Sequence, residues 1–333
     1  MIHHPKFTAS PSAAASDGST LEHWGYTEEK LLFLGLSTMR GVGFAGLKRL
    51  GGPAGIAEHL QLKGRVDLDE ASAGRVAKST PGSRKKPGHL DREALLSKGM
   101  MLAKNLVRDN IRLLTLPEMP PAVRKLPPPM QPAWLFVQGE VALLWRPSVA
   151  IVGTRKPSPT GEFLTRYIVG LAGTLNVPVV SGLAYGIDSI AHQACVEIDL
   201  PTISVLGSGL LSLYPAKNRE LADRILAQGG TLISEYLPGQ QPTAASFVWR
   251  NRLQACLADV VVATEWKMKS GTAHTMRFAK QFHRPNIAVR LSRAKYASDA
   301  GQAEINLDIP REHDLLLQVL RKALGAPYNG SRV

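Results

Sequence analysis

Cysteine is scarce in this chain of 333 residues, which contains Cys195 and Cys256 and no others. Two cysteines cannot build the disulfide framework of a small secreted domain, nor a metal site on their own. Long apolar runs are also lacking, because no stretch approaches the roughly 18 residues of a membrane span. The first residues lack the cationic start and apolar centre of a secretory signal. We therefore expect a cytoplasmic protein with two buried thiols and no association with a membrane.

Acidic residues are few relative to basic ones. The chain has 40 lysines and arginines against 27 aspartates and glutamates, which gives a formal net charge of +13. Such a balance favours a polyanionic partner, of which nucleic acid is the commonest. A basic surface without a specific partner is the alternative. The hydrophobic fraction of 44% is sufficient for a substantial core, and the length indicates two domains or one large domain with extensions.

Motifs for several classes of chemistry are missing from the sequence. There is no G-x-x-x-x-G-K-[ST] loop, so hydrolysis of a nucleoside triphosphate has no support. No Ser/His/Asp order, paired carboxylates or Cys/His metal spacing stands out. We therefore expect no catalytic residues, no metal site and no cofactor, and a protein that is not an enzyme.

What is present is organised around the segment Val149-Ala-Ile-Val-Gly-Thr-Arg155. Its four apolar residues predict a buried strand that stops at Gly153. A helix is predicted from about 160 to 175. A strand that leads through a glycine turn into a helix is a common phosphate site in α/β folds, and an arginine adds positive donors. A turn that merely connects strand to helix is the alternative.

A regular alternation of strands and helices follows this segment. It predicts an α/β fold with a mostly parallel sheet covered on both faces. Ligands bind beyond the carboxyl ends of the strands in such sheets. The strands are predicted at 149–152, 178–181, 202–206, 231–234, 260–264 and 286–289, and the helices near 160–175, 188–198, 218–228, 248–258 and 272–282. The strand ends carry Gly153-Thr-Arg155, Ser181-Gly182, Gly207-Ser-Gly209, Glu235 and Glu265.

The second of these turns, Ser181-Gly-Leu-Ala-Tyr-Gly-Ile-Asp188, contains two glycines that permit a tight loop, Gly182 and Gly186. Asp188 is interpreted as the cap of the following helix rather than as a catalytic carboxylate. His192 lies one turn inside that helix, and no nucleophile is evident beside it, so we interpret it as packed or hydrogen-bonded rather than as a general base. The third turn, around Gly207 and Gly209, again brings the backbone close to this edge of the sheet.

Aromatic and cationic residues alternate in Ser246-Phe-Val-Trp-Arg-Asn-Arg252. This pattern suits a single strand, whose bases are exposed for stacking. Phe247 or Trp249 could stack on a base, and Arg250 and Arg252 could neutralise phosphates. In the alternative, one aromatic packs inward while the arginines lie on a helix face, and Trp249 is the candidate for the inward position. Ser270-Gly-Thr272 begins a further helix and could hold another phosphate.

The segments outside this alternation carry weaker signals. Residues 1–25 are interpreted as a mobile tail, and 63–108 as a basic exposed stretch that contains Arg84-Lys85-Lys86. Helical spacing over 31–62 is interrupted by Gly41-Val-Gly-Phe-Ala-Gly46, which matches G-x-G-x-x-G. Because helix rather than strand precedes it, we do not interpret it as a dinucleotide site. The pattern resembles a helix-hairpin-helix unit that can contact a nucleic-acid phosphate, with a packing turn as the alternative.

Three further segments connect or end the fold. Strands are predicted at 111–116 and 134–137. The proline-rich stretch 117–132 is expected to be extended rather than helical. One last helix is predicted at 315–324.

These motifs together resemble the bacterial DNA-processing protein A family, also called DprA or Smf. The resemblance covers roughly 31–62 and 111–290. It is carried by the turns already described together with Ala191-His192, Tyr214-Pro215, Asn218, Ser234-Glu235, Pro238-Gly239, Phe247, Arg250-Asn-Arg252 and Ser270-Gly-Thr272. The chain departs from the family where Leu253-Gln-Ala-Cys256 stands in place of the usual Ile-Ala-Gly after the Asn-Arg motif.

The resemblance implies an extended Rossmann-like domain that binds single-stranded DNA and a small N-terminal helix-hairpin-helix-like domain. The expected division is a tail over 1–25, the helical domain over 26–108, the core over 109–292 and an extension over 293–333 with one helix and no winged-helix domain. The implied phosphate contacts are Gly153, Thr154, Arg155, Lys156, Ser181, Gly182, Gly186, Gly207, Gly209, Arg250, Asn251, Arg252, Ser270, Gly271 and Thr272. Phe247 would stack on a base.

Two functions from different classes follow from this sequence. The first, which the resemblance implies, is a non-enzymatic protein that protects incoming single-stranded DNA, helps to load the RecA recombinase in natural transformation or recombination, and forms a homodimer. The alternative is a nucleotide sensor or a phosphoribohydrolase-like enzyme on a related fold, in which Glu265 would be the acid/base. That alternative is weakened because Lys267-Met-Lys-Ser-Gly-Thr272 lacks the first glycines of the hydrolase turn.

Overall fold

A computed structural model describes residues 18–63, 91–291 and 303–325 of the chain. These residues form two compact units. The first unit contains 18–63, 91–119 and 132–138, and the second contains 120–131, 139–291 and 303–325. Within these ranges, no helix is both long enough and apolar enough to cross a bilayer.

The first unit is mainly helical. Its elements are α1 (Gly18–His23), α2 (Glu28–Ser37), α3 (Phe44–Arg49), α4 (Gly52–Lys63), α5 (Arg92–Arg108), β1 (Ile111–Thr115) and most of β2 (Trp134–Gly139). The two strands pair antiparallel. Helices α2 and α5 pack closely because glycines lie at their crossing: a Cβ on Gly35 would stand 2.0 Å from the Leu95 carbonyl oxygen, and one on Gly99 would stand 1.9 Å from that of Leu31.

The glycine hairpin of the first unit is preceded by α2, which confirms that it does not follow a strand. Gly41 has a positive φ of 90°, and Gly43 caps α3. Three helices occupy the segment for which two were predicted, because Gly51, at a positive φ, lies between α3 and α4, and Gly52, also at a positive φ, begins α4.

The second unit is a parallel α/β layer structure. Its strands are β3 (Val149–Val152), β4 (Val179–Ser181), β5 (Thr202–Val205), β6 (Thr231–Ser234), β7 (Val260–Ala263), β8 (Asn286–Leu291) and β9 (Ile305–Ile309). Its helices are α6 (Pro121–Arg124), α7 (Pro159–Thr174), α8 (Ile187–Glu197), α9 (Arg219–Ala227), α10 (Ala244–Leu257), α11 (Gly271–Gln281) and α12 (His313–Ala323). The predicted α/β class with a mostly parallel, Rossmann-like sheet is confirmed.

The strand order of this unit is β6-β5-β4-β3-β7-β8-β9, and each neighbouring pair is parallel. From β3 the chain winds outward through β4, β5 and β6, then returns to β7 on the other side of β3. Strands β3 and β7 are neighbours, and the chain segments that follow them lead away from each other, one toward β4 and the other toward β8. This reversal leaves a crevice at the carboxyl ends of the strands, where open α/β sheets bind their ligands.

The core of the second unit surrounds β3. The residues of β3 are buried, and α7 and α8 cover them with apolar side chains such as Ile168 and Ala191. Leu316 of α12 belongs to the same core and lies on the side of β9. Burial raises the pKa of the Cys195 thiol to about 12, and that of the Cys256 thiol also to about 12. Both cysteines are therefore buried thiols, as predicted.

Several sequence-based predictions outside the alternation are wrong. Residues 18–25, predicted as part of a tail, contain α1 and bury Leu21 and Trp24. The basic stretch predicted over 63–108 ends in the long helix α5, which the Asp91 side chain caps and which buries residues at helical spacing. Residues 1–17 and 64–90, including Arg84-Lys85-Lys86, lie outside the described residues.

The proline-rich stretch 117–132 is not simply extended. It contains short helical turns at Leu116–Glu118, Pro121–Arg124 and Pro128–Met130, each with proline at its first or second position. Proline is compatible with a helix start because the N–H that it lacks has no partner there. Strand β9, which is partly buried, was not predicted. The division at 109 and 292 also differs, because β1 groups with the N-terminal helices and 303–325 groups with the sheet.

Candidate functional site

A cleft of about 550 Å³ opens at the carboxyl ends of β3 and β7, at the reversal of strand order. We call this space the cleft. It is lined by Val152, Gly153, Thr154, Arg155, Ala184, Asp188, Ala244, Phe247, Val248, Arg250, Asn251, Gln254, Ser270, Gly271, Thr272 and Thr275. Nine of the predicted site residues line it: Gly153, Thr154, Arg155, Phe247, Arg250, Asn251, Ser270, Gly271 and Thr272.

One face of α10 forms a wall of the cleft. Phe247, Arg250, Asn251 and Gln254 are spaced by three or four residues, so they share one side of the helix. Thr243 and Ser246 form a capping box at the start of α10. The Ser246 hydroxyl also donates to the Gly207 carbonyl oxygen at 2.6 Å, which attaches the helix start to the turn after β5.

The buried arginine on this wall is Arg250, of which 4% is exposed. Its guanidinium donates to the Val205 carbonyl oxygen and lies 3.7 Å from the Asp188 carboxylate. Gly182 makes room for it, because a Cβ there would stand 1.8 Å from Nη1. Burial raises the pKa of the Asp188 carboxyl, and the charge of Arg250 opposes that shift. The positive charge of Arg250 is thus largely balanced within the protein.

The exposed arginine of the cleft is Arg155. Its guanidinium carbon lies 5.5 Å from the centre of the Phe247 ring, within the range of a cation–π contact. No ion pair or hydrogen bond joins the Arg155 side chain to the rest of the described residues. Phe247 is half-buried, and its ring centre lies 5.5 Å from that of the exposed Tyr214. Here a positive charge without an ion-pair or hydrogen-bond partner among the described residues stands beside an accessible aromatic ring, although it lies near enough to Asp188 to oppose the rise in the pKa of that carboxyl.

The turn that begins α11 supplies backbone donors. The Ser270 side chain donates to the Lys267 carbonyl oxygen and makes no cap to α11. The first N–H groups of a helix have no partner within that helix, and its dipole favours an anion there. The Thr272 hydroxyl donates to the Gly153 carbonyl oxygen at 2.8 Å, and the Asn251 amide donates to that of Gly271 at 3.1 Å. These bonds hold the two loops and α10 together around the cleft.

The Glu265 carboxylate is turned toward the start of α7. It accepts hydrogen bonds from the backbone N–H and hydroxyl of Ser158, at 2.8 and 2.9 Å. A Cβ on Gly161 would stand 2.1 Å from Glu265 Oε2, so the carboxylate is packed against the helix backbone. Its backbone oxygen also accepts from the Thr154 N–H at 2.7 Å. Glu265 therefore shapes the turn after β3.

Two interpretations of the turn after β4 have different outcomes. The cap of α8 is Gly186, at a φ of 77°, and not Asp188, which lies inside the first helical turn and faces Arg250. His192 is fully buried, as expected of a packed histidine, with Nδ1 at 2.8 Å from the Thr202 hydroxyl. Burial, with a smaller contribution from Arg250, lowers the pKa of His192 to about 3.

The predicted phosphate contact at Arg252 is corrected by the structure. The side chain is fully buried and pairs with the Glu235 carboxylate at 2.6 Å. It also donates to the Met130 and Trp249 carbonyl oxygens, and its guanidinium carbon lies 4.2 Å from the centre of the Trp249 ring. Arg252 is five residues after Phe247, and each residue of a helix is rotated by about 100° from the one before. Its side chain therefore points away from the cleft wall. Arg252 therefore stabilises the fold.

The remaining predicted residues surround the cleft without lining it. Lys156 is exposed beside it. Ser181 is buried and donates to the Ile151 carbonyl oxygen at 2.7 Å. Gly207 lies under the Phe247 ring, and Gly209 packs against the Leu237 and Pro238 carbonyl oxygens, 2.0 and 2.2 Å from where its Cβ would be. These glycines shape the loops that the sequence patterns located.

Sequence reasoning did not identify Gln254. Its side chain is 1% exposed and lines the cleft one helical turn beyond Arg250. The signal that could have found it is its spacing, since it is the seventh residue after Phe247. Asp188 was identified, but as a helix cap rather than as the partner of Arg250.

With this geometry in place, comparison with known proteins is informative. The family model of DNA recombination-mediator protein A matches residues 110–307, which is more than half of the chain. The chain belongs to this family. The match begins just before β1 and ends within β9, so it includes every residue that lines the cleft.

Individual relatives match part of this chain. The chain is 42% identical to protein Smf of Synechocystis over 138 residues, which are 41% of this chain and 34% of that protein. It is 40% identical to DNA processing protein DprA of Streptococcus pneumoniae over 159 residues, which are 47% of this chain and 55% of that protein. The matched part thus spans between about a third and just over half of these curated relatives.

Two solved structures are similar over a larger share of their length. DNA processing protein A from Helicobacter pylori, described for its single-stranded DNA binding mode, is 29% identical with a TM-score of 0.53 and covers 62% of this chain and 96% of its own. The Streptococcus pneumoniae DprA structure is 25% identical with a TM-score of 0.55 and covers 81% of this chain and 88% of its own. These similarities agree with the Rossmann-like second unit.

Proposed function

We propose that this chain binds single-stranded DNA in the cleft. The observation that carries the proposal is the exposed Arg155 guanidinium, without an ion-pair partner among the described residues, beside the accessible Phe247 ring at the switch point of the sheet. A phosphate can form an ion pair with a guanidinium that has none, and a base can stack on an exposed aromatic ring. An unpaired strand presents both groups at every nucleotide.

The proposed contacts divide by chemistry. Phosphate oxygens bind Arg155 and Lys156 and the backbone N–H groups of Gly153, Thr154 and the α11 start at Gly271. A base stacks on Phe247, which is worth about 1–3 kcal/mol for a typical base–aromatic contact. Arg250 and Asn251 line the inner wall, while Ser181, Gly182, Gly186, Gly207 and Gly209 shape the loops. The net charge of +13 favours a polyanion at long range.

The relatives support this proposal. The Helicobacter pylori protein is described as binding single-stranded DNA, and the family model is that of a recombination mediator. We extend the proposal to protection of incoming single strands, to loading of the RecA recombinase during natural transformation or recombination, and to a cytoplasmic homodimer. A RecA pull-down with and without single-stranded DNA tests the partnership, and sedimentation analysis tests the dimer. Failure of RecA to be retained in either condition would remove that part.

A fluorescence anisotropy titration with a labelled oligonucleotide tests DNA binding directly. Arg155→Ala should weaken binding to all base sequences alike, because a phosphate contact carries no base information. The matched control is Arg224→Ala, which removes the same charge from an exposed position on α9 outside the cleft. Equal affinities of the parent and Arg155→Ala would refute the pocket assignment.

The enzymatic alternative is disfavoured by the position of Glu265. An acid/base residue must reach its substrate, whereas this carboxylate is held by Ser158 at the start of α7. We propose that the chain binds its ligand without chemical conversion. Incubation with nucleoside monophosphates at high protein concentration should release no free base, and release of base would reinstate the alternative.

A further inference from the structure

Two hydrogen-bond donors on the inner wall of the cleft have no partner. Arg250 Nε and Gln254 Nε2 are buried nitrogen atoms without an acceptor in the described structure. Gln254 is 1% exposed and Arg250 is 4% exposed, and both side chains line the cleft. Buried donors are usually paired, because an unpaired one costs about 1–3 kcal/mol. Two of them on one wall indicate a site built for an acceptor group.

Both donors belong to the same face of α10. Arg250 and Gln254 are four residues apart, so their side chains are neighbours on the helix surface. Phe247 lies one turn earlier on that face. A ligand that stacks on Phe247 and extends inward along the helix therefore passes Arg250 before it meets Gln254.

The charge balance decides which acceptor fits. The Arg250 guanidinium lies 3.7 Å from the Asp188 carboxylate, which is itself nearly buried. A phosphate placed at this depth would be repelled by Asp188 and would lose its hydration. A neutral carbonyl oxygen accepts from N–H donors without that cost. The exposed Arg155, which has no ion-pair partner among the described residues, remains the better place for a phosphate.

We propose that Arg250 and Gln254 hold the carbonyl oxygen of a base that enters the cleft from a bound DNA strand. Thymine, cytosine and guanine carry such an oxygen, and adenine does not. The cleft therefore favours strands of carbonyl-bearing bases, and Gln254 is the residue that determines this preference. This inference rests on the proposed binding of single-stranded DNA.

The test compares fluorescein-labelled oligo(dT) and oligo(dA) of 12 nucleotides by anisotropy. The quantity compared is the affinity for oligo(dT) divided by the affinity for oligo(dA). We expect this ratio to fall by about threefold to tenfold in Gln254→Met, which is the effect of one lost hydrogen bond. Self-stacking of oligo(dA) affects every variant equally and cancels in the comparison. The control is Gln228→Met, which removes an amide that donates to the Val196 and Asp199 oxygens outside the cleft. This control should leave the ratio unchanged.

Urea unfolding of the unliganded proteins gives an independent result. Gln254→Met should be at least as stable as the parent, since it removes a buried donor without a partner. Lower stability with an unchanged affinity ratio would show that Gln254 only packs, and would overturn the inference. If Gln254→Met weakened the binding of both oligonucleotides equally, the Gln254 amide would contact the DNA backbone rather than a base. That result would also overturn the inference.

Two further outcomes keep the tests separate. Should Gln254→Met fail to fold, Gln254→Glu replaces the donor amide by an acceptor of equal size and should lower the same ratio; an unchanged ratio there overturns the inference. If the parent binds neither oligonucleotide, or if Arg155→Ala binds as the parent does, the proposed function fails instead.

Discussion

Gly182→Ala is expected to disrupt the cleft through one steric contact. The added Cβ would stand 1.8 Å from Arg250 Nη1 and 2.3 Å from Cζ. An ordinary contact needs at least 3.4 Å, so the guanidinium must shift by roughly 1.6 Å into the cleft that it lines, a displacement larger than the range of hydrogen-bond distances. Because Gly182 does not have a positive φ, the cost comes from the contact and not from backbone strain.

The magnitude follows from what Arg250 loses. Its hydrogen bond to the Val205 carbonyl oxygen breaks, and a bond from a charged donor is worth about 1.5–3 kcal/mol. Overpacking adds about 1–3 kcal/mol. We expect the free energy of unfolding to fall by about 3 kcal/mol or more, which lowers the urea midpoint by about 1 M at a slope of about 3 kcal/mol/M. DNA affinity should fall as well.

A double-mutant cycle isolates this contact. In an Arg250→Met background, Gly182→Ala should cost less than about 1 kcal/mol, so the two changes should couple by about 2 kcal/mol or more. The control is Gly170→Ala on an exposed turn of α7, where an added Cβ meets nothing within 4 Å; it should be neutral or stabilise by up to about 1 kcal/mol. Additive effects of Gly182→Ala and Arg250→Met would refute the reasoning.

Three other changes test the interior of the second unit. Arg252→Met should lower the free energy of unfolding by about 3–5 kcal/mol, because it removes the buried ion pair with Glu235. Adding Glu235→Met to this variant should recover most of the lost stability, and urea unfolding measures both variants. Since the pKa of His192 is lowered to about 3, the unfolded chain takes up its proton first as the pH falls below 6.5, so stability should drop by about 2 kcal/mol between pH 7 and pH 5. His192→Gln should not show that part of the drop, and an equal drop in both proteins would contradict it. The thiols of Cys195 and Cys256, with pKa values raised to about 12, should resist alkylation at pH 8 until the protein unfolds.

The sheet of the second unit could be predicted because its strands are short, apolar and bounded by glycine turns. The predicted bounds of β3 and β6 coincide with the structure. Helix α5 was missed because its sequence was interpreted together with the basic residues that precede it, although Leu95, Gly99, Ala103 and Leu106 follow the helical period. Strand β9 was also missed, although Ile-Asn-Leu-Asp-Ile alternates apolar and polar residues as a half-buried strand does.

The site was only partly predictable, for a geometrical reason. Motif residues such as Gly153, Thr154 and Arg155 reach the cleft because a strand end fixes their position. The direction of a side chain on α10 depends on its position around the helix, and neighbouring residues of one motif therefore point in different directions. Arg250 and Arg252 stand two residues apart and therefore point in different directions, one to the cleft and the other to Glu235. Tertiary partners such as Asp188 for Arg250 have no signature in the sequence.

The salt dependence of DNA binding tests the central claim most directly. The measurement is the slope of log K against log salt concentration for the parent and for Arg155→Ala, with the same single-stranded oligonucleotide. If Arg155 neutralises one phosphate, the substitution should lower the affinity and make the slope shallower by about 0.7, the value for one contact on a single strand. An unchanged affinity with an unchanged slope would contradict the account, because the strand would then be bound elsewhere.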